Sequence, residues 1–285
     1  MYIRLLYIQP PTLKKTKEIP VHRLADKDFY ASYTEGINLG DFSVSHRIDF
    51  FAIVWFGSDE GLHYIDFNPY PVKKNLVYLL ARNQVHALPG KRPKSRVIML
   101  SKAFFDSIED DDLRFIFAPF SNEGIAIPDE MVEPLSNLFN LILLENNTSN
   151  DARLLHIYTN ALLLHLYRLS HNSAGRSAYH DERLRKLFEL ISTHYKTQKL
   201  VEFYADKIGL TAKRINQIVK EKLALSVSQL IYNYTLIEAK REISHSTKSL
   251  KEIAIELGFK GQSYFSRFFK KQTGYTPERF RQENL

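Results

Sequence analysis

The chain has 285 residues, of which 44% are hydrophobic and 25% are charged, and it contains no cysteine. A globular chain of this length is expected to form two domains, and the missing cysteines exclude disulfides, thiolate metal sites and cysteine nucleophiles. No apolar run approaches about 18 residues, so we expect neither a signal peptide nor a membrane span. The expected location is the cytoplasm.

The positive charge is concentrated in the last third of the chain. Residues 181–285 hold 20 Lys and Arg against 12 Asp and Glu, a net charge of +8. Subtraction from the totals of 39 and 32 leaves 19 and 20 for residues 1–180, a net charge of −1. Clustered cations predict a polyanionic partner, because Lys and Arg neutralise phosphates. From the charge alone, a solvated basic surface is an equally good explanation.

The first half of the chain has the pattern of an all-β domain. Residues 29–120 contain short aromatic and β-branched runs broken by turn residues, which predicts a sandwich or a barrel. Residues 57–61 predict a hairpin loop between Trp55 and His63, and successive strands are expected to be meander neighbours. The acidic run at 110–112 is expected to be a solvated loop.

Two helices are predicted next, at 129–146 and 151–170, with Asp151 as the N-cap of the second. The apolar residues of the second helix cover more than one stripe, so one face is expected to meet the β-domain and another a second subunit. Alternatively, all of them belong to an intramolecular core. Residues 171–181 are small, polar and aperiodic, as in a linker, which gives domains at 1–170 and 182–285.

Beyond residue 181 the sequence predicts seven short helices. Ser249 with Glu252 forms a capping box, Thr211 and Ser226 are N-caps, and glycines stand where the chain must reverse. The predicted helices span residues 182–195, 199–207, 211–222, 226–244, 249–257, 261–273 and 276–283.

One pattern occurs twice among these helices: a helix, a turn that contains glycine, and a second helix with long polar side chains. The second helices begin 50 residues apart and are separated by a helix of about 19 residues, or about 28 Å, close to the spacing of about 34 Å between successive major-groove faces. Arg and Gln can read base edges, while Ser and Lys contact edges or phosphates. The predicted DNA-binding residues are Thr211, Lys213, Arg214, Gln217, Lys220, Gln262, Ser263, Ser266, Arg267 and Lys270.

Helix pairs with glycine turns also occur in plain bundles, but two basic copies with polar outer faces favour DNA binding. The run G-F-x-x-x-S-Y-F-S-R-x-F-K-K-x-x-G-x-T-P-x-x-F-R, from Gly258 to Arg281, resembles the signature of the AraC/XylS family of bacterial transcription regulators. The resemblance covers about a hundred residues and implies a seven-helix domain that places both recognition helices in the major groove. It also implies base reading by Lys213, Gln217, Gln262, Ser263 and Arg267.

Members of this family often carry a cupin-like β-barrel before the DNA-binding domain, so the resemblance implies an α+β protein with an N-terminal cupin-like barrel. His46 and His86 could then line a ligand pocket with Trp55, although a structural role explains each histidine as well. Metal-binding cupins pair two histidines and add a glutamate, whereas this chain has Ile48 and Ala52 in those places. We therefore expect no metal and no cofactor.

The combined hypothesis is a sequence-specific transcription regulator, an activator by family tendency, that responds to a small-molecule effector. Its expected partners are double-stranded promoter or operator DNA, a second copy of the chain and RNA polymerase. When DNA is bound, the protein is expected to associate with the nucleoid. A cupin-type enzyme with a DNA-binding appendage is an alternative that lacks its ligand set, and a DNA-repair methyl acceptor would need a cysteine. A non-specific architectural DNA binder is a further alternative, against which the Gln and Arg residues at reading positions argue.

Overall fold

The computed structural model describes residues 19–24, 26–37, 41–90, 93–118, 122, 124–171 and 181–284. Apart from Ile19, contacts divide these into an N-terminal unit, residues 20–171, and a C-terminal unit, residues 181–284. The described part of the first unit contains two β-sheets, four α-helices and a 3-10 helix (Thr34–Gly36), and the described part of the second is helical. The α+β class is confirmed. Most of the predicted linker, residues 172–180, lies outside the described residues.

The described residues of the N-terminal unit contain ten strands in two five-stranded sheets. The first sheet has the order β1-β3-β8-β5-β6 and the second the order β10-β7-β4-β9-β2. The strands are β1 (Val21–His22), β2 (Phe29–Tyr33), β3 (His46–Ile48), β4 (Phe51–Phe56), β5 (Leu62–Ile65), β6 (Asn68–Pro71), β7 (Leu76–Leu80), β8 (Val85–Ala87), β9 (Ser95–Leu100) and β10 (Ile125–Ala126).

The predicted closed barrel is wrong, because the two sheets form a sandwich. Three of the edge strands, β1, β6 and β10, have four residues or fewer and are too short to extend a ladder from one sheet to the other. The predicted meander is also wrong. Among the described strands, only β5 and β6 are both consecutive and paired.

The loop at 57–61 joins the two sheets and does not close a hairpin. Strand β4 pairs with β7 and β9, and β5 lies in the other sheet. Strand β4 pairs with β7 and β9, and not with β5, because it is apolar on both faces. Phe51, Ile53 and Trp55 pack with the helices, whereas alternate residues such as Val54 pack between the sheets. Such a strand is most stable at the centre of a sheet that is covered on both sides.

Four helices cover the outer face of the second sheet. They are α1 (Lys102–Asp106), α2 (Asp111–Phe115), α3 (Asp129–Asn147) and α4 (Ala152–His171). The two long helices confirm the predicted ones to within one residue, and Asp151 caps α4 by accepting the N–H of Arg153 at 2.8 Å. Asp110 and Asp111 are exposed to solvent as expected, but the loop expected at 110–112 is wrong, because the Asp110 carboxylate accepts backbone N–H groups and begins α2.

The C-terminal unit confirms each of the seven predicted helices, with ends that differ by at most two residues. They are α5 (Glu182–His194), α6 (Val201–Ile208), α7 (Ala212–Leu223), α8 (Val227–His245), α9 (Leu250–Glu256), α10 (Gln262–Thr273) and α11 (Pro277–Asn284). The agreement follows from local signals, since Thr211, Ser226 and Ser249 each accept an N-terminal N–H as predicted. Within the part of the chain that the structure describes, no helix is long and apolar enough to cross a bilayer.

Candidate nucleic-acid interface

The two helix pairs, α6 with α7 and α9 with α10, turn through the same backbone hydrogen bonds. Gly209 donates to the carbonyl of Asp206, and Leu210 donates to that of Ala205, five residues back. In the second pair, Gly258 donates to Ile255 and the next residue donates to the carbonyl of Ala254. Both glycines have left-handed φ angles, 79° and 78°, so each turn is a Schellman motif that requires this conformation.

The second helix of each pair is held by apolar residues on its inner face. On α7 these are Ile215, Ile218 and Val219, and on α10 they are Phe265 and Phe269, all buried. This burial leaves the opposite face of each helix in solvent.

All ten predicted DNA-binding residues lie on α7 and α10 or at the N-terminus of α7. Nine of them are exposed, and Ser266 is half-buried. The structure therefore brings the predicted residues onto two solvent-facing helix surfaces. Here we name the set on α7 and its cap the first recognition surface, and the set on α10 the second recognition surface.

Side chains of the first recognition surface bond to one another. Arg214 donates to the amide oxygen of Gln217 at 3.0 Å, and Gln217 donates to the Glu221 carboxylate at 2.7 Å. The Thr211 hydroxyl accepts the N–H of Arg214 and is used as the helix cap. Lys213 and Lys220 extend the exposed positive charge. A carboxylate within this row would face the phosphates of DNA, which opposes binding.

The second recognition surface has no carboxylate on its own helix. The Arg267 guanidinium lies 4.8 Å from the centre of the Tyr264 ring, which orients it through a cation–π contact. Tyr264 is 57% exposed and was not among the predicted residues, although its position three residues before Arg267 predicts this contact. Gln262 reaches the Glu278 carboxylate of α11 at 3.4 Å.

Two polar residues near these surfaces serve the domain's structure. The Asn216 side chain accepts the N–H of Val227 at 3.1 Å and donates to the carbonyl of Ala212, which joins α7 to the start of α8. Arg281 donates to the carbonyls of Ile243 and Lys248, and burial lowers the pKa of its guanidinium. The last arginine of the sequence signature thus ties α11 to the end of α8.

The loop between α5 and α6 braces the second turn. A Cβ on Gly258 would lie 1.8 Å from the carbonyl oxygen of Lys196, so only glycine fits there. Lys199 donates from Nζ to Thr235 at 3.3 Å and to the carbonyl of Leu257 at 3.4 Å. Burial lowers the pKa of Lys199 to about 8. These contacts fix the second helix pair relative to α5, α6 and α8.

In the N-terminal unit, the structure brings two of the three predicted ligand-binding residues together. His46 and His86 are register partners in β3 and β8, with ring centres 4.0 Å apart, and His86 lines a cavity between the sheets. Trp55 lies on the opposite face of β4, where the Arg96 guanidinium covers its ring at 4.4 Å. One pocket shared by all three residues does not fit this arrangement.

The histidine pair belongs to a row of four buried rings. His22 stacks on His46 with centres 4.1 Å apart, and His63 Nε2 lies 3.1 Å from His86 Nδ1. Burial lowers the pKa of His46 and of His63 to about 3. Sequence reasoning missed His22 and His63, because only strand pairing places them beside the other two. In the described residues, no group of three or more His, Cys, Asp or Glu side chains is arranged to hold a metal ion.

Each helix pair has a glycine in its turn and presents an exposed cationic surface on its second helix. This arrangement defines the C-terminal unit as a DNA-binding domain of the helix-turn-helix class. The family described as helix-turn-helix domain matches residues 204–283. The resemblance to the AraC/XylS family is confirmed, and these residues form a DNA-binding domain of the AraC type.

The similar proteins match parts of the chain. The arabinose operon regulatory protein of Escherichia coli strain K12 is 28% identical over 166 residues, 57% of this chain and 56% of that protein. The HTH-type transcriptional activator RhaS of Citrobacter koseri is 29% identical over 120 residues, 42% of this chain and 43% of that protein. The chain thus spans about half the length of these curated relatives. A solved structure of ToxT from Vibrio cholerae has 14% identity, covers 91% of this chain and 100% of that chain, and has a TM-score of 0.49.

Proposed function

We propose that the protein is a transcription regulator that binds promoter DNA in a sequence-specific way through both recognition surfaces. The observation that carries this proposal is the exposure of nine of the ten polar and cationic residues on α7, α10 and the α7 cap. Arginine and glutamine can form paired hydrogen bonds with guanine and adenine, while lysines hold phosphates. One similar protein is named as an operon regulator and another as a transcriptional activator, and the second name supports activation over repression. We propose that activation proceeds through contact with RNA polymerase.

The DNA-binding proposal is tested with duplexes from the region upstream of the protein's own coding sequence. Fluorescence anisotropy at moderate salt compares these with scrambled duplexes of the same composition, and we expect a preference for the upstream DNA of about 10³-fold or more at a true site. Lys73→Ala, which removes an exposed cation of the N-terminal unit, is the matched control for substitutions on α7 and α10. Equal affinity for both duplexes would identify a non-specific architectural binder.

We further propose that α3 and α4 form the contact between two copies of the chain. Leu155, Leu162 and Leu166 face the interior, whereas the opposite side of α4 exposes Ile157 by 62% and Leu164 by 47%. Large exposed apolar residues spaced along one helix face favour a protein interface over contact with water. Leu141 and Leu144 of α3 add to this apolar surface.

Light scattering after size exclusion tests the dimer. We expect the mass of two chains for the unaltered protein and of one chain for Ile157→Glu. Asn233→Glu, at an exposed position on α8 in the other unit, adds the same single negative charge and is the control. A monomer in the unaltered protein at micromolar concentration would refute this interface and leave the DNA-binding proposal in place.

We assign the sensing of a small molecule and dimer formation to residues 1–170, the linker to 171–181 and DNA binding to 182–285. The cavity beside His86 and the histidine row support a sensing role for the first domain. His46 and His86 remain candidates for ligand contact. Circular dichroism of the separate segments 1–170 and 182–285 tests the boundaries, and each segment is expected to fold by itself.

A further inference from the structure

The N-terminal unit contains a cavity of about 30 Å³ between its two sheets. Nine of its lining residues are apolar, and several come from the strands of the second sheet. The apolar lining includes Phe42, Ala52, Val54, Val97 and Met99. Cores of folded proteins contain few voids that could hold even a water molecule, so this space is a local exception to close packing.

The polar groups at the cavity wall are almost all engaged with one another. The Thr34 hydroxyl donates to the carbonyl of Ser95 at 2.9 Å and accepts the Ser95 N–H at 2.7 Å, and the two hydroxyls are also bonded together. His86 Nδ1 lies 3.1 Å from His63 Nε2, so Nε2 is the ring nitrogen of His86 that this contact does not use. These bonds therefore leave Nε2 of His86 as the one side-chain polar atom among the lining residues that they do not use.

The wall also carries no ionic partner. None of the residues that line the cavity in the described chain is Lys, Arg, Asp or Glu. Burial, together with the neighbouring rings of His46, His63 and His22, lowers the pKa of His86 well below its usual value, so the imidazole is neutral. Arg96 lies against Trp55 on the other face of the sheet. A charged ligand in this cavity would lose its hydration without gaining a counter-ion.

We propose that the effector of this regulator is an uncharged, largely apolar small molecule with a single hydrogen-bonding group, which meets Nε2 of His86. The inference rests on the sensing role proposed above and specifies its ligand class. A sugar is excluded because its many hydroxyl groups would be buried without partners among apolar side chains.

The cavity must widen to admit such a molecule, since about 30 Å³ holds roughly two water molecules. Met99 and Phe42 can move, because methionine has three rotatable side-chain bonds and Phe42 is only half-buried. Widening would displace β4 and β9, whose other faces pack on the helix layer through Ile53 and Ile98. Ligand entry is thereby coupled to the helices that we assign to the dimer.

The test uses the full chain and calorimetric titration with four probes: phenol, acetophenone, benzoate and arabinose. Phenol can donate or accept one hydrogen bond, and acetophenone can only accept one. We expect phenol or acetophenone to bind at least tenfold more tightly than benzoate or arabinose, and which of the two is preferred reports the tautomer of His86. Tighter binding of arabinose or benzoate would overturn the proposal, as would no binding of either uncharged probe up to millimolar concentration.

Matched variants locate the binding. Val54→Ile adds one methyl group to the cavity wall and is expected to weaken probe binding at least tenfold. Val77→Ile makes the same change toward the helix layer, away from the cavity, and is expected to leave binding unchanged. His86→Leu should lower affinity for phenol or acetophenone more than for toluene, which has no hydrogen-bonding group. Equal effects of Val54→Ile and Val77→Ile would place the probe elsewhere and refute the assignment.

DNA binding is measured separately on the same samples. If the protein prefers upstream DNA but binds neither uncharged probe, the proposed ligand class is refuted and the proposal of a DNA-binding regulator stands. If an uncharged probe binds but upstream DNA is not preferred, the proposal of a sequence-specific regulator is refuted and the cavity stands as a binding site.

Discussion

The two helix-turn-helix pairs share one backbone design but present different chemistry to DNA. Their turns have matching hydrogen bonds, and equivalent positions such as 224 and 274 lie 50 residues apart. On α7, Arg214 and Gln217 of the first recognition surface form a hydrogen-bonded row that ends at the Glu221 carboxylate. Helix α10 has no carboxylate, and its Arg267 is oriented by Tyr264. The difference teaches that the fold is set by glycines and buried apolar residues, which leaves the outer faces free to diverge.

The largest expected difference between the pairs concerns the turn glycines. Gly258→Ala would place a methyl group 1.8 Å from the Lys196 carbonyl oxygen, whereas Gly209 has open space at its Cβ position. Both glycines have a left-handed φ, so Gly209→Ala is expected to cost about 1 kcal/mol of unfolding free energy from that strain alone. Gly258→Ala adds a clash with backbone and is expected to cost at least about 3 kcal/mol. Urea unfolding followed by circular dichroism measures both, and equal losses would contradict the bracing role of the α5–α6 loop.

The next effect separates the two arginines in DNA binding. Arg267→Ala is expected to cost about 1–3 kcal/mol at particular base pairs if its guanidinium reads a base edge. Arg214→Ala should cost less DNA-binding free energy, because Arg214 already donates a hydrogen bond to Gln217. Affinities for an operator and its single base-pair variants decide the matter. A uniform loss for Arg267→Ala across all sequences would make it a phosphate contact.

A smaller gain is expected from neutralising the carboxylate on α7. Glu221→Gln keeps a side chain that can bond to Gln217 while removing repulsion from phosphates, so DNA affinity should rise by up to about 1 kcal/mol at low salt. The gain should shrink as salt rises, because screening weakens the repulsion. Glu189→Gln, an exposed glutamate of α5, is the control. A loss of affinity for Glu221→Gln would show that the carboxylate positions Gln217 for reading.

The smallest expected effect lies at the ends of the recognition helices. The residue that caps the C-terminus of α7 is Ala224, with φ 55°, and the equivalent residue after α10 is Gly274, with φ 81°. Ala224→Gly should remove left-handed strain and stabilise the domain by about 0.5 kcal/mol, after part of the gain is offset by the more flexible unfolded chain. Gly274→Ala is the reciprocal variant and should destabilise it by about 1 kcal/mol. Thermal unfolding of both tests this, and the same sign for both changes would contradict it.

The recognition surfaces were predictable because helix faces follow from sequence spacing. Thr211 and Ser249 begin helices as predicted, and the ten proposed DNA-binding residues fall on solvent-facing surfaces. The structural role of Asn216 was not predictable, since its partner, the N–H of Val227, belongs to the next helix. The contact of Tyr264 with Arg267 was accessible from their spacing of three residues.

The sequence by itself determined the C-terminal helices, the glycine turns and the outward residues, because caps, chain reversals and the 3.6-residue period are local properties. Tertiary structure alone decided the strand partners, the open sandwich, the row of four histidines and the side of β4 on which Trp55 lies. Strand pairing joins residues far apart in the chain, such as Phe56 and Ser95, and a turn sequence does not specify which strand is the partner. The shape and polarity of the cavity follow from that pairing.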